Sequence, residues 1–229
     1  MFGYNDFIQT VNKIGIIATS YDGIGNDFPK TRDYAINNKW YSDDSDTDPT
    51  SWVMRAVSEK KVVYGSYVMG KKVALSPELF NLYYEAFHPD VSVEERNEAG
   101  LLGQYEWKLW QALTEMKHSL GTHELRRLLG VTPKSGASSL DTATVRMIMS
   151  CDIVVVGESD MLDKKGIPYN KSIAYDKLEN WIPVEWRTIS KPHNPTEAVQ
   201  VFLETVSKLT NLSFEASKKY FNKQIKMLK

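Results

Sequence analysis

Leu102, Tyr105, Leu109, Leu113 and Met116 recur three and four positions apart. That spacing gathers side chains on one helical face, so residues 101–118 are predicted to form an amphipathic helix. In "GTHELRRLLGV" (121–131), Thr122 has the side chain of a helix N-cap, and Leu125, Leu128 and Leu129 form a short apolar stripe. Arg126 and Arg127 point away from that stripe, and Gly130 ends the helix. A third helix is expected from Ser138 or Ser139, burying Leu140, Ala143, Met147 and Cys151. At about 100° per residue its opposite face carries Thr142, Val145, Arg146 and Met149. "DIVVVG" then reads as a strand, "DKKG" at 163–166 as a turn and "KSIAYD" as a returning strand. Three helices followed by a two-stranded ribbon are the element order of a winged helix.

The first hundred residues are less regular. A helix from Tyr4 to Lys13 with Phe7, Ile8, Val11 and Ile14 on one side leads into a short buried strand, "IGIIATS". Residues 21–48 are rich in Gly, Asn, Asp and Pro and are expected to form a long loop, a length that often accompanies function. Asp48-Pro49 opens a helix running to about Lys60, and Ser76-Pro77 opens an aromatic-rich helix ending at Phe87. The polar stretch 89–99 reads as a boundary. Near the end, "NPTE" (194–197) starts a further helix, and a last one follows from about Ser213. The expected organisation is an N-terminal helical/β region over 1–100, a winged helix over 101–186 and C-terminal helices over 187–229.

A length of 229 residues suffices for one large domain or two small ones. No apolar run approaches the roughly 18 residues of a membrane span, and the first residues lack a basic-then-apolar leader, so a cytoplasmic location is expected. A single cysteine, Cys151, allows no internal disulfide; on the buried stripe it reads as packing. Formal net charge is −1, which argues against a protein that coats nucleic acid through its overall field. Charge is nevertheless uneven. From Lys191 onward lysines outnumber acids, a pattern that fits either a solvated helix surface or a phosphate-docking tail.

Candidate chemistry falls in three places. Arg126, Arg127, Arg146, Lys164, Lys165 and Lys171, with Lys134, could contact the phosphates of double-stranded DNA, whereas Val145 and Met149 would suit packing on a protein partner. Trp40, Trp52, Arg55 and Tyr64, with Lys60, put aromatics beside cations and form a candidate pocket for a base or other planar ligand. Asp44, Asp46 and Asp48 have alternate calcium-loop spacing, but Pro49 stands where glycine is needed and Arg55 where the closing glutamate belongs. Four histidines lie in separate elements without an i, i+4 pair, so no metal is expected. Gly23 and Gly25 lack the rest of a dinucleotide fingerprint, and no cofactor is expected.

In their order, "IGIIATS", "VVYGSYVMGKKVALSPELFNLYYEAF" and "IAYDKLENWIPVEW" resemble the AlkZ-type (YcaQ-like) DNA glycosylases. "FPKTRDYAINNKWYSDDSDTDPTSWVMRAVSEKKVVYG" is similar to a short, AlkZ-related branch of that family. The resemblance runs from about Ile14 to Trp186. It implies an α+β, mainly helical fold with winged helices in tandem, and a role on DNA. Active members carry Gln-x-Gln or Gln-x-Asp at the end of the buried strand; here the corresponding residues are Ala18, Thr19 and Ser20. Alanine neither orients water nor accepts a proton. The expectation is therefore a DNA-binding relative without the family's chemistry, the alternatives being an enzyme with a replacement site drawing on Ser20, Asp22 or Asp27, or a protein-interaction scaffold.

Overall fold

Two stretches of the chain lay out their elements in the same order. A computed structural model describes residues 2–19, 27–35, 44–163, 165–184, 186, 194–210 and 212–227. It divides into two compact units, Met1–His88 with Ile182–Lys229, and Pro89–Trp181. Both contribute to a mixed α+β fold with two three-stranded antiparallel sheets.

The first unit begins with α1 (Tyr4–Ile14) and β1 (Ile16–Ala18). A 3-10 turn at Thr31–Tyr34 precedes α2 (Pro49–Ser58), a hairpin of β2 (Val63–Val68) and β3 (Lys71–Leu75), and α3 (Pro77–Phe87). Sequence chemistry explains the boundaries. Gly15 stops α1 at φ +74°. The Asp48 carboxylate accepts the Thr50 and Ser51 backbone N–H groups, each at 3.3 Å, and Pro49 takes the first helical position. Met69 and Gly70 both sit at positive φ, as a tight two-residue hairpin turn requires. Strand order is β1-β3-β2, with Ile16 opposite Leu75 and Ala18 opposite Val73.

The second unit adds α4 (Val93–Glu98), α5 (Gln104–Met116), β4 (Leu120–Gly121), α6 (Thr122–Leu128) and α7 (Ala137–Met149). The hairpin β5 (Ile153–Leu162) and β6 (Pro168–Lys177) follows, then α8 (Leu178–Trp181). Its strand order is β4-β6-β5, again with the short first strand against the second hairpin strand. Arg96 on α4 reaches the buried Asp152 carboxylate at 2.5 Å, and the Ser150 hydroxyl donates to the same carboxylate.

Several local expectations change. Thr122 does not cap α6: Gly121 holds that position, and the Thr122 hydroxyl donates to the Ile173 carbonyl across to β6 at 3.1 Å. Helix α7 starts one residue before Ser138, with Gly136 preceding it at φ +82°. Met116 and Leu128, expected on the buried stripes, are exposed at 38% and 44%. Met149, expected outside, is buried together with Ile148, since the last turn of α7 enters the core beside Cys151 and Ile153. The polar stretch at 89–99 contains α4, whose signal is the Ser92/Glu95 capping box rather than any apolar stripe.

Helices α9 (Pro195–Thr210), α10 (Phe214–Tyr220) and α11 (Asn222–Met227) complete the first unit. Phe202 and Phe221 are fully buried and meet edge to face at 4.8 Å; Tyr83 and Phe87 of α3 lie within 6.3 Å of both. The Gln224 amide donates to the Tyr67 carbonyl and to the Tyr83 hydroxyl, pinning α11 to the hairpin and to α3.

Gly121 tests the closure of the second sheet. A β-carbon there would overlap Ser159 Oγ and come within 2.8 Å of Ser172 Oγ. Gly121→Ala should cost about 1–3 kcal/mol by overpacking, read as a lower denaturation midpoint; an unchanged midpoint would contradict this packing.

Candidate nucleic-acid interface

Of the six described cations singled out for phosphate contact, three, on α6, α7 and β6, are engaged by acids of the same unit. Arg126 donates through one terminal nitrogen to both oxygens of Asp141, at 3.0 and 3.3 Å. Arg146 Nε lies 3.1 Å from the Glu106 carboxylate, whose other oxygen accepts the Gly103 N–H at 2.6 Å and so caps α5. Glu106 is buried while the Arg146 side chain is half exposed, so this pair fixes the guanidinium at the surface. Lys171 stands 4.0 Å from Glu158 across the hairpin. Arg127, Lys134 and Lys165 are exposed and make no ion pair among the described residues; Lys164 lies outside them. Sequence reading missed the counter-ions because each except Glu158 sits fifteen or more residues from its cation, with no periodic signal joining them.

The aromatic and cationic residues of the candidate pocket are divided between two settings. Trp52 is buried, packs near Phe2 and Phe7, and donates its indole N–H to the Asp46 carbonyl at 2.8 Å. Arg55, one turn along α2, lies over the Tyr4 ring at 4.0 Å and binds Glu59 at 2.8 Å and Asp46 at 3.7 Å. Tyr64 is buried on β2, with the Lys72 ammonium 6.0 Å from its ring. Trp40 lies outside the described residues. Trp52 and Arg55 thus share the 44–48 turn, where Asp48 caps α2, while Tyr64 belongs to the sheet. Among the described residues no group of three or more His, Cys, Asp or Glu side chains could hold a metal ion.

At the end of β1, Ala18 is completely buried. Its N–H donates to the Pro29 carbonyl at 2.8 Å, and its carbonyl accepts the Thr31 hydroxyl at 3.2 Å. The Thr19 hydroxyl donates to the Lys72 carbonyl at 3.0 Å. Ser20 and Asp22 lie outside the described residues. Asp27, two residues before Pro29, accepts the Tyr220 hydroxyl, and Phe28 meets the Tyr220 ring edge to face at 4.9 Å. Burial first, then the Asp27 hydrogen bond and charge, push the Tyr220 phenol up to about 12. Cys151 is buried, and its surroundings together with Asp152 push its thiol well above the ordinary value, which suits packing rather than nucleophilic use.

A family model described as AlkZ related matches residues 1–226, a span that covers both units. No curated protein and no solved structure matches the chain. Among the described residues no helix is long and apolar enough to cross a membrane.

The Tyr220–Asp27 pair has a definite pH signature. Because the folded-state phenol is raised, its contribution to stability is fully present below the ordinary tyrosine value of 10.0 and is lost as pH rises through about 12. In Asp27→Asn, Tyr220, one of several tyrosines raised by burial, should ionise at lower pH than in the parent, and the difference between the two titration curves isolates it. Ultraviolet titration of parent and variant measures this; coincident curves would show that Asp27 does not hold the phenol.

Proposed function

The chain belongs to the AlkZ-related family, and from that premise we propose that it is a duplex-DNA-binding protein built from two winged helices that does not use the family's glutamine-based glycosylase chemistry. The observation that carries this reading is the repeated order of elements. In each unit a helix is followed by a strand of two or three residues, a second short helical element, a third helix and a hairpin whose second strand pairs with the first short strand. In winged helices the third helix and the hairpin face the duplex. These are α2 with β2–β3 in the first unit, and α7 with β5–β6 in the second.

The electrostatics of the second unit favour moderate, shape-led contact over tight base readout. Residues 89–181 hold 14 acidic and 11 basic side chains, and Arg126 and Arg146 already have carboxylate partners. Arg146, held by Glu106, presents its remaining N–H groups from the exposed side of α7; Arg127, Lys134 and Lys165 add cations unopposed by a described acid. The burial of Ala18 argues against family chemistry, because alanine has no polar side chain to orient water. A replacement enzyme is the second reading. It is favoured by the placement of the Asp27 carboxylate two residues from the segment hydrogen-bonded to Ala18.

Fluorescence anisotropy with a labelled duplex, with and without an alkylated base, at low and physiological salt, tests the proposal. Binding that weakens steeply with salt, without base release, is the expected result. Absence of binding at low salt would refute it, and release of the alkylated base that is abolished in Asp27→Asn would replace it with the enzyme reading. Asp141→Asn frees Arg126 and should tighten duplex binding about two- to fivefold, the scale of an exposed ion pair worth up to about 1 kcal/mol.

A further inference from the structure

The C-terminal helices present the opposite electrostatic pattern to the second unit. Outside Pro89–Trp181 the chain holds 17 basic and 15 acidic side chains, and α9 to α11 contribute Lys208, Lys218, Lys219, Lys223 and Lys226. All five are exposed, and none makes an ion pair among the described residues. On α10 and α11 the only acid is Glu215, in the first turn of α10.

Helices α10 and α11 meet at Phe221, whose backbone (φ −104°, ψ 11°) leaves the helical range and ends α10. Phe221 N–H bonds the Ser217 carbonyl at 3.3 Å, the last such bond of α10, and Ile225 N–H bonds the Phe221 carbonyl at 3.1 Å, the first of α11. Ser217, Phe221 and Gln224 are buried, and each is tied down: Ser217 to Ser207, Phe221 into the aromatic core, and Gln224 to Tyr67 and Tyr83. On α10, Lys219 falls opposite buried Ser217, and on α11 Lys223 and Lys226, three residues apart, share the side away from buried Gln224. The burial of Ser217, Phe221 and Gln224 therefore leaves Lys219, Lys223 and Lys226 exposed and without an ion pair among the described residues, unlike Arg126 and Arg146.

We infer that these lysines of α10–α11 form a contact surface for the phosphate backbone of duplex DNA, supplying much of the salt-sensitive affinity. The inference rests on the DNA-binding reading above and moves the main electrostatic contact away from the second unit's third helix and hairpin. Lysines exposed on these two packed helices contact phosphates without reading bases, so the surface is insensitive to sequence and to alkylation.

The test compares three proteins on an unmodified labelled duplex across a salt series: the parent, Lys219→Gln/Lys223→Gln/Lys226→Gln, and Arg127→Gln/Lys134→Gln/Lys165→Gln. All substituted side chains are exposed, and matching circular dichroism and melting midpoints establish that both variants remain folded. The triple-lysine variant of α10–α11 should lose at least about tenfold in affinity at low salt, and its log–log salt slope should shrink by about 2.7, at about 0.9 per phosphate contact. Parent-like affinity and slope in that variant, with loss in the other, would overturn the α10–α11 surface while leaving DNA binding in place. No binding by the parent at low salt would overturn both.

Discussion

Each unit depends on pairing a very short strand with a partner more than fifty residues further along the chain. Ile16 of β1 lies opposite Leu75, and Leu120 of β4 opposite Tyr175. Strands of three and two residues contribute few hydrogen bonds, so their placement rests on burial: Ile16, Ile17 and Leu120 are wholly removed from solvent. Closing these long loops is unfavourable until the apolar contacts form, which ties the hairpins and third helices to the integrity of the sheets. The absent side chain of Gly121 belongs to the same constraint, because Ser159 and Ser172 occupy the space a β-carbon would need.

That architecture also governs which charges face outward unopposed. Glu106 caps α5 and, from its buried position, holds Arg146; Asp141 on α7 meets Arg126 on α6. Both pairs form because the helices of the second unit are brought together around one core. The cations are thereby oriented, but their field is largely cancelled at distances beyond the pair. On α10–α11 the same packing logic has the reverse effect: uncharged Ser217, Phe221 and Gln224 are drawn inward and the lysines have no ion-pair partner among the described residues.

Much of the fold was legible locally. Asp48-Pro49, Ser76-Pro77 and Ser213 mark helix starts because capping is a short-range interaction between neighbouring residues. The stripe Leu140, Ala143, Met147 and Cys151 is buried as its period requires, and the turn after Leu162 falls where Asp163 and Gly166 allow it. Less was legible at the candidate interface. Outward placement of Met149 followed from an ideal helix in water, whereas the final turn of α7 is enclosed on more than one side. Trp52 reads as a stacking platform in isolation, but Phe2 and Phe7 cover it and Asp46 takes its N–H.

The sequence by itself determined the helix and strand periods, the caps at Asp48, Ser76 and Ser213, the single cysteine and the resemblance to the AlkZ-type family. These are properties of adjacent residues or of residue identity, and they need no knowledge of distant partners. The tertiary structure alone decided that the C-terminal helices complete the first unit through Phe202 and Phe221, that Arg126 and Arg146 are paired, that Tyr220 holds Asp27, and that the lysines of α10–α11 stand unopposed by described acids. The partners in those contacts are between 15 and 193 residues apart, and which of many apolar or charged candidates meet is set by how whole elements pack rather than by any local pattern.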